Sequence, residues 1–482
     1  MSEKPVASHD TSTPENLVKF MLTGWATPPG TPASPAEGAE RFAARRTALS
    51  RAFPGETLIV PTGHEKVRAN DTAYRFRPGT DFYYLTGNVE PDNVLVLVPH
   101  GEGHAATLYC EPNPGKTDQT FFTDRVKGEL WVGPRLGLKQ TAERYGVPTK
   151  ALGALPDELT AAAARGPLRV LRGIDPLLDA ALPAQAERDA AFSTLLSEMR
   201  LIKDDLEVRE LRRAVDATHR AFDDVVRALP TTETERTVEG VFNLRARVDG
   251  NDTGYSTIAA SGPNACTLHW TRNDRRIGEN ELLLLDAGVE AETLYTADIT
   301  RTLPISGRFT PEQREIYELV FAAQEAALAK CTPGNDFLDP NRAAMVVLAQ
   351  GLERLGILRS AEEALRDENL FYRRYSLHNV SHMLGIDVHD CAAARAETYK
   401  FGKLAPGMVL TVEPGLYFQL DDLTVPARYR GIGVRIEDDV LITQTGVENL
   451  SAAIPRAPDE VEAWVSSALE ASRPAGAHQP SR

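Results

Sequence analysis

Residues 282–302 read LLLLDAGVEAETLYTADITRT, and their pattern decides the fold of the C-terminal half. Four leucines run directly into Asp286, which is followed by Ala287 and Gly288. A short unbroken apolar run closed by glycine predicts a strand buried on both faces. A carboxylate at the end of such a strand is costly to bury unless it is paired or holds a cation. The plainer alternative for Asp286 alone is a loop cap. Twelve residues on, Asp298 stands in a Thr- and Ile-rich stretch that reads as a second strand. Its plainer alternative is a solvent-facing position. Strands are expected over 281–289, 297–305, 408–418 and 433–443.

Downstream, residues 377–390 (LHNVSHMLGIDVHD) carry three of the ten histidines, His378, His382 and His389. A single histidine there would read as a satisfied core residue; three in one segment point to chemistry. His378 and His382 have the i, i+4 spacing of a zinc-binding helix, but that motif needs Glu directly after the first His and Asn379 stands there, so the zincin reading fails. Glu413 closes a third apolar run, with Pro414 and Gly415 turning behind it. Arg435 and Glu437 lie two apart on a fourth, hence on one face, where the guanidinium can brace neighbouring carboxylates; an exposed ion pair is the alternative. Four carboxylates and an imidazole form a hard, oxygen-rich donor set that suits Mn²⁺ or a similar ion better than structural zinc. Their charge balances two divalent cations, enough for a dinuclear site with a bridging hydroxide.

The rest of the chain sets the frame. Its 482 residues exceed one compact core, so two domains with flexible ends are expected. A net charge of −15 speaks against a nucleic-acid partner. Cys110, Cys266, Cys331 and Cys391 form no CxxC pair and read as buried free thiols of a reducing compartment. With no secretory h-region and no run of 18 apolar residues, a cytoplasmic protein without a membrane partner is expected.

Residues 1–38, rich in Pro, Ser, Thr and Gly, are expected to be disordered. An α/β domain is expected over 39–202, with strands at 57–61, 81–86, 93–99 and 168–172 and an Ala-rich helix at 158–165. The second domain, 203–457, opens with a periodic helix from 204 to about 229, followed by one starting near Thr234. Thr310 and Pro311 predict the start of another helix, running to Lys330. A C-terminal helix and flexible tail occupy 458–482. The class is α+β.

The segments LLLLDAGVE, TADITRT, SHMLGIDVHD, GMVLTVEPGLY and YRGIGVRIEDDVLIT resemble, in order and spacing, the motifs of aminopeptidase P, a metallopeptidase family with the pita-bread fold. SGPNACTLHW is similar to the segment carrying a substrate-side histidine, and SEMRLIKDDLEVRELRRA to the family's domain junction. The stretches at 74–97 and 129–137 are similar to its N-terminal accessory domain, which favours aminopeptidase P over prolidase and methionine aminopeptidase. The resemblance implies cleavage of the N-terminal Xaa-Pro bond of peptides by a hydroxide shared between two divalent metals, most suitably Mn²⁺. It implies metal ligands Asp286, Asp298, His382, Glu413 and Glu437, with Glu413 also shuttling a proton. It implies that His269, His378 and His389 bond the scissile carbonyl and tetrahedral intermediate, and that Arg435 braces the ligands. Trp131 matches an aromatic that reaches a neighbouring active site, implying a homodimer or homotetramer.

Three departures stand out. The Asp286–Asp298 gap is one residue longer than the family spacing, so an altered loop is expected there. Residues 391–403 lack the usual substrate-loop pattern, and 112–119 form an insertion. The rival readings are a prolidase-like dipeptidase and a non-catalytic peptide-binding module of the same fold.

Overall fold

A computed structural model describes residues 13–26, 33–70 and 72–472. The chain forms two compact units that divide between Phe192 and Ser193, inside the helix Ala186–Met199 and ten residues ahead of the expected 202/203 junction.

The N-terminal unit is built on a five-stranded mixed sheet. Its strands are β1 (Thr57–Pro61), β2 (Val94–His100), β3 (Gly103–Cys110), β4 (Thr149–Ala151) and β5 (Leu168–Val170), in the order β4-β3-β2-β1-β5. Helix α3 (Leu155–Arg165) buries Leu155, Leu159 and Ala162 against Ile59, Val96 and Val170. The stretch 81–86, expected as a strand, is instead a helix, α2 (Thr80–Thr86). Its aromatic residues favour strands, but the run is buried all round from Phe82 to Thr86, and a short, uniformly buried run carries no period to separate helix from strand. Gly87, at φ 68°, supplies the left-handed helix terminus. Part of the stretch expected to be disordered also has structure. Helix α1 (Glu15–Met21) leads to Trp25, whose ring packs edge-on against Phe121 at 5.4 Å and beneath the Lys116 ammonium at 4.1 Å.

In the C-terminal unit, α4 (Asp205–Ala228) is capped by Asp204, whose side chain accepts from the Leu206 and Glu207 amides while Glu207 reaches back to the Asp204 amide. Leu211, Val215 and Phe222 are buried along one face, as the period predicts, and Phe222 meets Phe242 of α5 (Glu235–Asp249) at 5.9 Å. Each such side chain contributes roughly 1.5–3 kcal/mol on burial. Helix α6 (Pro311–Leu328) starts at the expected Thr310 cap and packs on α7 (Asp339–Arg354).

Two antiparallel three-stranded sheets carry the site. The first has the order β8-β7-β6, from β6 (Ile258–Ser261), β7 (Leu282–Ala287) and β8 (Ile299–Pro304), with Asp286 opposite Thr300. The second runs β9-β12-β13, from β9 (Val409–Val412), β12 (Asp438–Ile442) and β13 (Val447–Asn449), beside a pair formed by β10 (Gly415–Tyr417) and β11 (Gly433–Arg435). The long strands expected at 408–418 and 433–443 are each broken in two, and Glu413 and Glu437 occupy the breaks. The sheets are joined where the Glu437 amide donates to the Thr300 carbonyl at 3.1 Å and the Asp298 amide to Asp439 Oδ2 at 3.0 Å. The fully buried Arg301 adds bonds to Asp438 Oδ1 (2.7 Å) and the Glu437 carbonyl (2.6 Å).

All four cysteines are buried and free, as expected. Among the described residues no helix is long and apolar enough to cross a membrane.

Candidate metal centre

The five expected ligands come together in the C-terminal unit, with Glu413 and Glu437 at the strand breaks. Asp298, His382 and Glu437 offer ligand atoms that all lie within 4.8 Å of one another. His382 Nε2 is 3.3 Å from Asp298 Oδ2 and 3.5 Å from Glu413 Oε1. Asp286 is joined to Asp298 through Tyr255, whose hydroxyl lies 2.6 Å from an oxygen of each. Thr300 Oγ1 holds Glu437 Oε2 at 2.6 Å. His382 is fixed from its backbone, its amide donating to Thr411 Oγ1 (3.1 Å) and its carbonyl accepting from the Thr411 amide (3.0 Å).

Arg435 lies beside this cluster, as its pairing with Glu437 suggested. Its guanidinium bonds Asp286 Oδ2, the Tyr417 hydroxyl at 2.9 Å and Thr300 Oγ1 at 3.1 Å. His378 is nearby: Nδ1 lies 2.9 Å from the Asn379 carbonyl and Nε2 lies 2.7 Å from the Tyr417 hydroxyl. A carbonyl can only accept, so the neutral ring carries its proton on Nδ1 and accepts from Tyr417 at Nε2. Burial, with Arg435 adding repulsion, pushes the His378 pKa down to about 4, keeping the ring neutral at pH 7. His389 is exposed, with its ring 4.5 Å from that of His382 and nearly perpendicular to it. His269, also exposed, follows the turn Gly262–Cys266 and is close enough to lower the pKa of both His378 and His389. Trp131, about half exposed, belongs to the N-terminal unit.

The electrostatics fit a cation site. Burial and the charges of Asp298 and Asp286 raise Glu413 to about 8 against the pull of His382 and Arg435. Burial and the same crowding raise Glu437 well above the carboxylate range. Burial alone would lower His382, yet Asp298 and Glu413 lift it to about 9. Asp298 is held below its usual value, His382 outweighing its burial. A cluster that draws in protons at neutral pH has more negative charge than its one arginine balances. Hard divalent cations answer that need through these oxygen and imidazole donors.

Comparison with known proteins follows the same lines. Residues 209–444 match Metallopeptidase family M24, and residues 42–169 match the Aminopeptidase P N-terminal domain. Xaa-Pro aminopeptidase 1 of Streptomyces coelicolor is 52% identical over 455 residues, covering 94% of this chain and 92% of that protein. The Xaa-Pro aminopeptidase of Escherichia coli is 34% identical over 88% of this chain and 97% of its own length. The chain is an aminopeptidase P of metallopeptidase family M24.

The aminopeptidase P fold extends through both units. The structure of aminopeptidase P from E. coli with the inhibitor Pro-Leu aligns at a TM-score of 0.81 and 32% identity, over 90% of this chain and 100% of that one. The zinc-substituted E. coli enzyme in complex with product gives the same TM-score at 33% identity, over 90% and 99%.

The Asp286–Asp298 connection, where an altered loop is expected, closes as a turn. The Leu294 amide donates to the Ala291 carbonyl, Leu294 adopts φ 66°, and the Tyr295 hydroxyl anchors the turn to Glu207 at 2.9 Å. Sequence reasoning missed Tyr255, Tyr417 and Thr300. Tyr417 had one available signal, the glycine two residues before it. A Cβ on Gly415 would lie 2.3 Å from the Tyr417 hydroxyl, so that glycine is needed for the ring to fold back onto the site. Tyr255 has no such mark in the sequence.

Proposed function

We propose that this aminopeptidase P releases the N-terminal residue standing before proline, using two divalent cations held by Asp286, Asp298, His382, Glu413 and Glu437. The observation that carries the reading is the convergence of these five side chains beside Arg435 and His378. When bound, the cations supply Lewis acidity and activate water at neutral pH. Glu413, whose Oε1 lies 3.5 Å from His382 Nε2, is the carboxylate that takes a proton from the attacking water and returns it to the leaving nitrogen. His269, His378 and His389 are the imidazoles that hydrogen-bond the scissile carbonyl and the tetrahedral intermediate, His269 and His389 being open to solvent. Arg435 and Tyr255 keep the Asp286 carboxylate oriented.

An Xaa-Pro bond has no amide hydrogen and a locked φ, which excludes peptidases that read that hydrogen. A site that acts on the carbonyl through cations and imidazoles needs neither feature. We further propose Mn²⁺ as the working metal, from the oxygen-rich donors. The cytoplasm is the proposed compartment, in keeping with four free, buried thiols. A homodimer or homotetramer is the proposed assembly, in keeping with the exposed Leu130, Trp131 and Val132, which leave an apolar surface for a partner subunit.

The test is release of the first residue from an Xaa-Pro-Yaa peptide with and without Mn²⁺, in the native chain and in Asp298→Ala. Mn²⁺-dependent release by the native chain alone is expected. Turnover confined to Xaa-Pro dipeptides would favour a prolidase instead, and equal turnover by Asp298→Ala would remove that residue from the site.

A further inference from the structure

The segment between His382 and His389 folds back on itself. The Asp390 amide donates to the Met383 carbonyl at 3.0 Å, the Gly385 amide to the Asp387 carbonyl at 3.1 Å, and the Thr296 amide to the Gly385 carbonyl at 3.0 Å. Asp390, which closes the turn, is 1% exposed. Its Oδ1 accepts from Arg200 Nε at 3.0 Å and from the Cys391 amide at 2.8 Å, and its Oδ2 accepts from Lys203 Nζ at 2.9 Å. Both cations are themselves buried and lie 190 and 187 residues upstream, in the junction segment SEMRLIKDDLEVRELRRA. Lys203 is tied further, Nζ donating to the Arg200 carbonyl at 2.6 Å and its amide to the Gly407 carbonyl at 2.8 Å.

The packing leaves little freedom. A Cβ on Gly385 would lie 2.1 Å from Asp390 Oδ2 and 3.0 Å from Lys203 Cε. Cys391 is held at φ 62°, a conformation that a side chain with a Cβ seldom adopts and that persists only where its surroundings impose it. Two buried cations on one buried carboxylate are an expensive way to close a turn, since apolar side chains of equal volume would serve stability as well or better. The triad lies one residue from His389. That ring makes no hydrogen bond to protein among the described residues, so its direction is set by its backbone and its contact with His382.

We infer that Arg200, Lys203 and Asp390 are positioning residues for His389. Through the rigid turn at residues 390–391 they hold its imidazole at the angle needed to meet the developing charge on the substrate. The inference rests on the proposed Xaa-Pro aminopeptidase activity. His382 is held through Thr411 on its backbone and by the Met383 carbonyl at Nδ1 (3.1 Å), contacts that substitutions at Arg200 and Lys203 leave in place, so cation binding is expected to survive them.

The test is a double-mutant cycle on kcat for an Xaa-Pro-Yaa peptide with Mn²⁺. Lys203→Met, which leaves the Arg200–Asp390 pair, and the milder Arg200→Lys, which keeps the charge but withdraws the fork, are each made in the native chain and in His389→Ala. In the native background Lys203→Met is expected to lower kcat by about tenfold or more through misplacement of the imidazole, with KM nearly unchanged. Arg200→Lys should lower it less, and calorimetric Mn²⁺ affinity should stay within about twofold in both variants. In the His389→Ala background both losses should vanish. If Lys203→Met does not fold, Arg200→Lys alone completes the cycle. The same fold-loss in both backgrounds would reduce the triad to a structural brace and overturn the inference, as would unchanged kcat in an active native background. An inactive native chain would instead overturn the functional reading and carry this inference with it.

Discussion

Gly288 lies directly against Ala297: a Cβ on residue 288 would stand 1.7 Å from the Ala297 carbonyl oxygen. These two backbone segments carry Asp286 and Asp298 and are bonded together, the Ala297 amide donating to the Val289 carbonyl at 3.2 Å, so the Ala297 carbonyl cannot rotate away as a side chain can. Gly288→Ala must therefore push the strands apart. The expected cost is about 1–3 kcal/mol of overpacking, with divalent-cation affinity falling by at least about tenfold. Denaturant unfolding and titration calorimetry measure the two effects, and wild-type values for both would mean that the strands can separate freely.

Tyr255 shares one hydroxyl between Asp286 and Asp298. Tyr255→Phe removes that hydroxyl and little volume, so stability should change modestly. Both carboxylates lose orientation, and cation affinity is expected to fall by about 10–100-fold. An unchanged binding isotherm would show that the hydroxyl plays no part in arranging the ligands.

Arg435→Lys keeps the charge but loses the planar fork that reaches Asp286, Tyr417 and Thr300 together. A kcat loss of about 10²-fold is expected, with folding intact. Steady-state kinetics and circular dichroism test it; near-native kcat would mean that charge alone suffices.

The pH dependence follows from Glu413 and His382. In protein stripped of divalent cations, Glu413 is raised from 4.5 to about 8, first by burial, and His382 from 6.5 to about 9 by Asp298 and Glu413, against its burial. Between about pH 4.5 and 9 the folded state thus holds protons that the unfolded chain releases, and stability falls as pH rises through this window. Asp298, lowered in the folded state, acts oppositely, its contribution being lost only in acid as the pH falls below about 3.8. A bound cation replaces the protons, so the rise in Tm on adding Mn²⁺ should be larger at pH 9 than at pH 6. Scanning calorimetry at the two pH values decides; an equal or smaller gain at pH 9 would contradict the assignment.

The proposed ligands were legible in the sequence because the four carboxylates stand where a strand would otherwise be apolar, where burying charge needs a reason, and because His382 is one of three histidines in a short segment. Tyr255 and Tyr417 were not, since an aromatic beside a strand reads equally well as core. The stretch at 81–86 misled because its aromatic residues favour strands while its uniform burial hides the helical period. Helix α1 escaped notice because Trp25 finds its partners, Phe121 and Lys116, some ninety residues away, beyond what a local window of polar sequence can reveal. The strand break at Glu413 was marked by Pro414 and Gly415, whereas the break at Glu437 has no such mark in the sequence.

Asp286 and Asp298 belong to the first sheet, whereas His382, Glu413 and Glu437 follow the course of the second. On the proposed ligand set, a polypeptide that has assembled only one of them would hold part of a coordination sphere and so have no hydrolytic power. Maturation is in this way self-checking, because a misassembled copy leaving the ribosome stays inert toward the peptides around it.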